Sequence, residues 1–480
     1  MDWNLVFAGL AGTLFKLLYF IVVVGTVIVV ILDNRNPLKT IAWLLVLIFI
    51  PFFGLIIYFF FGQDQRRERI ISKKSYSNLL EKPKAEYQSQ EEVDLPDHYA
   101  SLIALFKRTN QAFPYGDNQV SLFVDGYQKY HRLIQELYKA KEHIHINYYI
   151  FEDDALGYLL RDVLIDKAKQ GVTIRVIYDD VGCWSVKNKF FDEMRYQGIE
   201  VRAFLKVRFP LFTSKVNYRN HRKIIVIDGV VGFVGGINIA SRYIKGVDWG
   251  CWRDSHLMIR GKAVHGLQTA FLVDWYFVDH TLLSSDKFFP RIEGVKNSHT
   301  LCQIVTSEPI GPWRDIMQGI ILAIGQARTY FYIQTPYFLP TEPVQTALKT
   351  AALAGVDVRI MLPEKADSQL THLGSRSYIE DMLRAGVKVF FYKKGFLHAK
   401  TMVSDDLFSS VGTTNIDFRS FEHNFEVNAF MYGEESALML KKAFVKDQRD
   451  CEEVFYKNWI KRPLRIRVLE SAVRVLSPLL

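Results

Sequence analysis

Asn220-His221-Arg222-Lys223, then Asp228, then Gly235-Gly236-Ile237-Asn238 make one short phrase. The chain writes it again as His398-Ala399-Lys400, Asp405 and Gly412-Thr413-Thr414-Asn415. In both copies Lys stands two residues after His, Asp seven after and Asn seventeen after. One His-x-Lys carries no information. Two copies with the same offsets point to two similar half-domains, each lending His, Lys and Asn to a shared site. His221 and His398 supply two imidazoles for nucleophilic attack and proton transfer. Lys223 and Lys400 supply positive charge for an anion, and Asn238 and Asn415 supply amide donors. This set handles a phosphodiester without a metal, and no ligand cluster at metal spacing accompanies it; no cofactor is expected.

The local structure of the phrase follows from its pattern. His221 to Ile227 is rich in β-branched residues and ends at Asp228-Gly229, a hairpin-turn dipeptide. Side chains alternate along a strand, so His221 and Lys223 share a face while Asp228 has the other parity. Asp228, and Asp405 in the turn Ser404-Asp405-Asp406, belong to the catalytic motif, yet their position fits holding a turn better than touching substrate.

Working outward, each copy is preceded by a strand, a helix ending at Gly and a second strand. In the first half these are Ile144 to Phe151, a helix to Gly171, and Val172 to Tyr178. In the second they are Tyr330 to Phe338, a helix to Gly355, and Val356 to Leu362. That is βαβ grammar. The fold class is α/β, two similar halves with pseudo-two-fold symmetry, at 111–295 and 296–462. Asp254 and Glu426 each open an alternating run seven residues before a Gly. A reacting imidazole needs a carboxylate to fix its tautomer, which makes these two the candidate histidine-orienting residues.

With 480 residues the chain has room for two or three domains, and its net charge of +9 favours anionic partners, nucleic acid or acidic lipid. The four cysteines are scattered, without disulfide or metal spacing. Ile41 to Gly62 holds no charge and sixteen Leu, Ile, Val or Phe. At roughly 0.3–0.6 kcal/mol each, those residues favour bilayer insertion by about 5 kcal/mol or more before Pro and Gly are counted. Ala11 to Leu32 is nearly as apolar, so residues 1–62 read as a hairpin of two transmembrane helices. Arg66, Arg67, Arg69, Lys73 and Lys74 follow. The positive-inside rule then predicts a multi-pass protein of the cell (inner) membrane with its catalytic part in the cytoplasm. Residues 63–110 read as a charged neck or linker, and 463–480 as an amphipathic segment.

These residues resemble the phospholipase D superfamily, whose two His-x-Lys-x4-Asp motifs assemble one active site. Within it, several runs resemble bacterial cardiolipin synthases: Asn34 to Trp43, Asn220-His221-Arg222-Lys223 with Gly235-Gly236-Ile237-Asn238, Gln334 to Phe338, and Asn415 to Phe421 with Asn424 and Glu426. Gly412-Thr413-Thr414-Asn415 stands where the superfamily often has Gly-Ser-x-Asn, and Thr keeps the hydroxyl. The resemblance implies transphosphatidylation: phosphatidyl transfer from one phosphatidylglycerol to another through a phosphatidyl-histidine, giving cardiolipin and glycerol. It implies His221 as nucleophile and His398 as acid, although the near-symmetry leaves the order open. The expected partners are phosphatidylglycerol and anionic membrane lipid, with the chain membrane-embedded and no nucleic acid bound. Oligomeric state is not legible. Hydrolysis to phosphatidic acid shares the first step, and transfer to serine or ethanolamine is a third variant. A membrane-tethered nuclease would want a basic stripe with interleaved aromatics, which is missing. A scaffold without activity is disfavoured by two intact motifs.

Overall fold

The computed structural model describes residues 3–32, 37–58, 72–89, 96–207, 217–292, 298 and 300–477. The chain divides into two compact units. Met1–Gln65 with Val207–Asn217 form one; Arg66–Lys206 with Tyr218–Leu480 form the other.

In the first unit, helices run over Trp3–Leu32, Pro37–Phe49 and Pro51–Ile57. Among the described residues no helix is long and apolar enough to cross a membrane. The expected hairpin of two transmembrane helices therefore finds no support in either arm, and the second shows one physical reason. Ile41 to Gly62 is not one helix, because Ile50 leaves helical geometry (φ −127°, ψ 60°) and a new helix starts at Pro51. Proline has no N–H and its ring crowds the carbonyl four residues back, so the helix breaks before it. The connector at 33–36 and the segment 59–71 lie outside the described residues.

The second unit is built on one long sheet. Its first half contributes β1 (Tyr115–Phe123), β2 (His143–Tyr148), β3 (Thr173–Asp179), β4 (Glu200–Phe204), β5 (Arg219–Asn220), β6 (Lys223–Ile227), β7 (Val231–Gly235), β8 (Cys251–Arg253) and β9 (His256–Arg260). The second half contributes β10 (Thr300–Ser307), β11 (Tyr330–Gln334), β12 (Phe338–Leu339), β13 (Asp357–Pro363), β14 (Lys388–Tyr392), β15 (Gly395–Leu397), β16 (Thr401–Ser404), β17 (Phe408–Gly412), β18 (Ile416–Asp417), β19 (Asn424–Tyr432) and β20 (Cys451–Val454). Strand order is β20-β14-β13-β11-β16-β17-β19-β10-β1-β9-β7-β6-β2-β3-β4. Read outward from the β1–β10 junction, the two sides match strand for strand, with β20 added at one end. The expected pseudo-two-fold is thus real, and its axis passes between β1 and β10, which pair antiparallel at Tyr115↔Cys302 and Asn118↔Thr300.

The βαβ units form as the pattern requires. β2 and β3 are parallel across the helix Ala155–Lys169, and β11 and β13 across the helix Glu342–Leu353. Each half has its own apolar core, around Ile146, Val176 and Phe190 in one and Ile333, Leu348 and Val358 in the other. A third core mixes Leu257 and Ile259 with Val411 and Val427 from the other half. Each such side chain, fully buried, contributes about 1.5–3 kcal/mol, so the halves are welded rather than hinged.

The stretch read as a neck differs from a linker. It carries helices Lys73–Ser89 and Ala100–Thr109, with Leu79, Leu80, Leu102, Ile103 and Phe106 buried. Its charged composition hid an apolar stripe. The C-terminal segment is helical over Leu464–Val475.

Candidate active site

Two very short strand pairs between the halves build the site. β5 pairs parallel with the start of β19, and β15 pairs parallel with β8. The His221 amide donates to the Phe425 carbonyl at 2.9 Å, and the His398 amide to the Arg253 carbonyl at 2.7 Å. In each case the accepting residue immediately precedes an orienting carboxylate. The two histidines are therefore held by carboxylates of the opposite half. His221 Nδ1 lies 3.0 and 3.1 Å from the two oxygens of Glu426. His398 Nδ1 lies 2.6 Å from Asp254 Oδ2. A proton on each Nδ1 satisfies its carboxylate and leaves Nε2 as the reacting nitrogen. The sequence singled out Asp254 and Glu426; the crossing of their partnership is visible only in three dimensions.

Each carboxylate is itself fixed. Glu426 accepts from the Thr413 hydroxyl and from Asn424 Nδ2 at 3.1 Å. Thr413 thus uses the hydroxyl that its motif position retains. In the other half the equivalent residue is Gly236, and the space a Cβ would fill there is taken by the Asp254 carboxylate, 2.0 Å from the ideal Cβ position. Asp254 also accepts from the Ser255 amide at 2.7 Å.

Two arginines that sequence reasoning missed stand behind this pair. Arg222, the middle residue of the first motif, donates to the Glu426 carbonyl at 3.1 Å and pairs with Asp274 at 2.6 Å and Glu308 at 3.1 Å. Arg253 donates to the Asp254 carbonyl and pairs with Asp447 at 2.7 Å. Asp274 and Asp447 lie on the helices Val264–Asp279 and Glu434–Gln448, one in each half. The signal was a basic residue beside each motif His or acid, too common to notice alone. A cavity of about 720 Å³ is lined by Arg222 and Glu308 but by neither histidine.

The lysines complete the site. Lys223 Nζ donates to the His221 carbonyl at 2.7 Å, and Lys400 Nζ donates to the His398 carbonyl and sits 3.0 Å from His398 Nδ1. Burial pushes Lys223 down to about 7 and Lys400 to about 8, with Glu426 and Asp254 respectively opposing. Burial also pushes both imidazoles down to about 4. Glu426 opposes this at His221, while Lys400 reinforces it and Asp254 opposes it at His398. Burial works against ionised Asp254 and Glu426 too, yet the cations around them hold both below the usual carboxylate range. The charge of Lys400 acts on His221 and on Lys223, so the two motifs occupy one electrostatic site.

Asn238 is one hydrogen bond from this centre: its amide donates to the Tyr243 hydroxyl at 2.5 Å, and the Tyr243 ring lies 6.1 Å from that of His398. Asn415 is buried, with its Oδ1 unpartnered among the described residues. Tyr149 stands edge-on to His221 at 5.0 Å, and Trp252 to His398 at 5.4 Å. Tyr337 lies 6.4 Å from His398.

Asp228 and Asp405 do not join the site. Asp228 accepts from the amides of Lys141, Glu142 and His143 at 2.8–2.9 Å. Asp405 accepts from those of Arg328, Thr329 and Tyr330 at 2.7–3.0 Å. Their place among the catalytic residues is corrected to that of anchors, each tying the motif hairpin to the start of β2 or β11. Among the described residues no group of three or more His, Cys, Asp or Glu is arranged to hold a metal ion.

Comparison with known proteins shows the family. The family model "Cardiolipin synthase, PLD-like domain" matches residues 133–272 and 320–448, and "Phospholipase_D-nuclease N-terminal" matches 19–63. The chain is 40% identical over 471 residues to the cardiolipin synthase of Geobacillus thermodenitrificans (strain NG80-2), covering 97% of this chain and 94% of that protein. It is 40% identical over 487 residues to the major cardiolipin synthase of Bacillus subtilis (strain 168), covering 98% and 100%. In structure it is similar to a phosphatidylserine synthase from Haemophilus influenzae Rd KW20, with a TM-score of 0.61 over 79% of this chain and 100% of that one. At 14% identity that likeness speaks for the fold alone.

Proposed function

The chain belongs to the family of phospholipase D-like cardiolipin synthases, and from that premise we propose how its own residues carry the reaction. It is an enzyme of lipid biosynthesis that moves a phosphatidyl group between two phosphatidylglycerol molecules. The observation that carries this reading is the crossed pairing of His221 with Glu426 and His398 with Asp254, with both lysines in the same buried site.

His221 Nε2 attacks phosphorus of the first phosphatidylglycerol. The bond from phosphorus to the glycerol oxygen breaks, and His398 Nε2–H gives that oxygen its proton. Glycerol leaves, and a phosphatidyl-His221 phosphoramidate remains. The terminal hydroxyl of a second phosphatidylglycerol then loses its proton to His398 and attacks phosphorus. The P–N bond breaks, and cardiolipin forms with both histidines restored. Burial favours the neutral form of both imidazoles, which suits the nucleophile. A bound phosphodiester anion favours imidazolium beside it, which suits the acid. Lys400 against the His398 ring draws basicity from it and supports giving the nucleophile's part to His221. Lys223, Lys400, Asn238 and Asn415 serve the non-bridging oxygens as charge and donors.

The N-terminal segments are proposed to hold the protein in the cell membrane, multi-pass, with the catalytic unit cytoplasmic. Support comes from the basic run after residue 65 and from exposed Leu17, Leu18, Phe20 and Ile21 on the first helix. The test is incubation of the purified protein with phosphatidylglycerol in detergent, following glycerol, cardiolipin and phosphatidic acid together. Cardiolipin and glycerol in equal amounts are expected; phosphatidic acid as the sole lipid product would make the protein a hydrolase instead.

A further inference from the structure

A surface helix ordinarily buries its apolar stripe and shows its charges to water. The C-terminal helix Leu464–Val475 departs from this: its buried side holds Val473 together with charged groups. Glu470 is buried and pairs with Arg462 at 2.6 Å and Arg376 at 3.3 Å. Arg474 pairs with Asp381 at 3.1 Å, and Arg467 with Glu380 at 3.4 Å. The outward face carries Leu464, Val468, Leu469, Val475 and Leu476, of which Leu464 is 73% and Val475 78% exposed. Lys457 and Lys461, just before the helix, and Arg465 within it are exposed and add positive charge.

The helix is also tied to the reaction centre. Leu339 Cδ2 and Val473 Cγ1 lie 2.7 and 3.6 Å from where a Cβ on Gly374 would stand, on the helix Gln369–Ser377. Leu339 lies in β12, two residues from Tyr337, whose ring faces His398. Leu370 on that same helix is also exposed.

We propose that the outward face of the helix at 464–476 is a docking surface for an anionic phospholipid bilayer, which seats the His398 side of the site against lipid. An exposed apolar stripe with exposed cations on and just before its helix suits acyl chains and acidic headgroups together. The purpose assigned to the contact rests on the lipid-transfer reading, but the contact itself is measured without turnover.

The test uses the full-length protein with Cys251→Ser and Cys451→Ser, labelled with a nitrobenzoxadiazole fluorophore at Val468→Cys or, as a control, at Glu434→Cys. In vesicles containing phosphatidylglycerol, the label at 468 is expected to shift to the blue, brighten roughly twofold or more and resist aqueous iodide, as an interfacial apolar site does. The label at 434 should stay water-like. Val468→Glu with Leu469→Glu should lower turnover of vesicle-borne lipid while leaving mixed-micelle turnover unchanged. Equal iodide quenching at both positions would overturn the proposal. So would the same blue shift in detergent without lipid: dependence on protein concentration would then assign the face to a second copy, and independence to another segment of this chain. Loss of turnover in micelles and vesicles alike, with the label still buried in lipid, would count against the transfer mechanism and leave the docking surface standing.

Discussion

Each imidazole in this site has a carboxylate from the other half against its Nδ1, placed to hold a proton there. Glu426→Gln and Asp254→Asn keep size but offer an amide that can present N–H to Nδ1 and so favour the wrong tautomer. By comparison with other imidazole–carboxylate pairs, each should lower kcat by about 10²–10⁴ while binding is nearly kept. Steady-state kinetics on micellar phosphatidylglycerol read this directly; a KM effect alone would mean the acids only shape the pocket. His221→Ala should yield no acid-labile phosphoenzyme. His398→Ala should still form one from a substrate with an activated p-nitrophenol leaving group, which needs no acid. Label retained in His221→Ala would move the nucleophile elsewhere. The lysines give a pH signature. Their cationic forms exist below about 7 for Lys223 and about 8 for Lys400 and are lost above. Affinity for an uncleavable phosphonate analogue should therefore be full at pH 6 and fall roughly tenfold to a hundredfold by pH 9. A flat titration profile would show that the bound anion is held by neutral donors. The motif residues were legible because their spacing repeats. Arg222 and Arg253 were not, since one arginine beside a motif has no pattern to betray it.

At the scale of elements, the hairpins and βαβ units were readable because period and turn chemistry are local. In the first motif the turn takes φ 51° at Asp228 and 71° at Gly229; in the second, 53° at Asp405 and 55° at Asp406. Left-handed geometry at two successive residues makes the tight turn that the Asp-Gly dipeptide announces. The strand pairs that cross the halves were not readable. β5 has two residues and β15 three, and their partners lie far off in sequence. The break at Pro51 was missed because a count of apolar residues is blind to the backbone. Asp228 joins its hairpin to β2 through three amides, so Asp228→Ala should cost about 1–3 kcal/mol of stability, read as a lower unfolding midpoint. Turnover per folded molecule should stay within a few-fold of the parent. A thousandfold loss of turnover in a protein of unchanged stability would put Asp228 back among the reacting groups.

Across the whole molecule, the proposed chemistry and the proposed N-terminal anchor reside in separate parts of the chain. Every residue of the site belongs to the unit Arg66–Lys206 with Tyr218–Leu480, which has apolar cores of its own. Removing residues 1–62 should therefore leave a folded enzyme that turns over phosphatidylglycerol in mixed micelles at a rate near that of the full chain. On intact vesicles the loss should be large, because a site that reaches only headgroups needs the surface held beside it, and two membrane signals hold far better than one. The residual vesicle activity should then depend on the apolar face at 464–476 and on the exposed cations on and just before its helix. It should fall steeply with added salt, since screening weakens attraction between exposed cations and acidic lipid within a Debye length of about 10 Å at 0.1 M. Turnover on vesicles equal to that of the full chain, insensitive to salt, would mean that neither the N-terminal helices nor these cations bring this enzyme to its lipid.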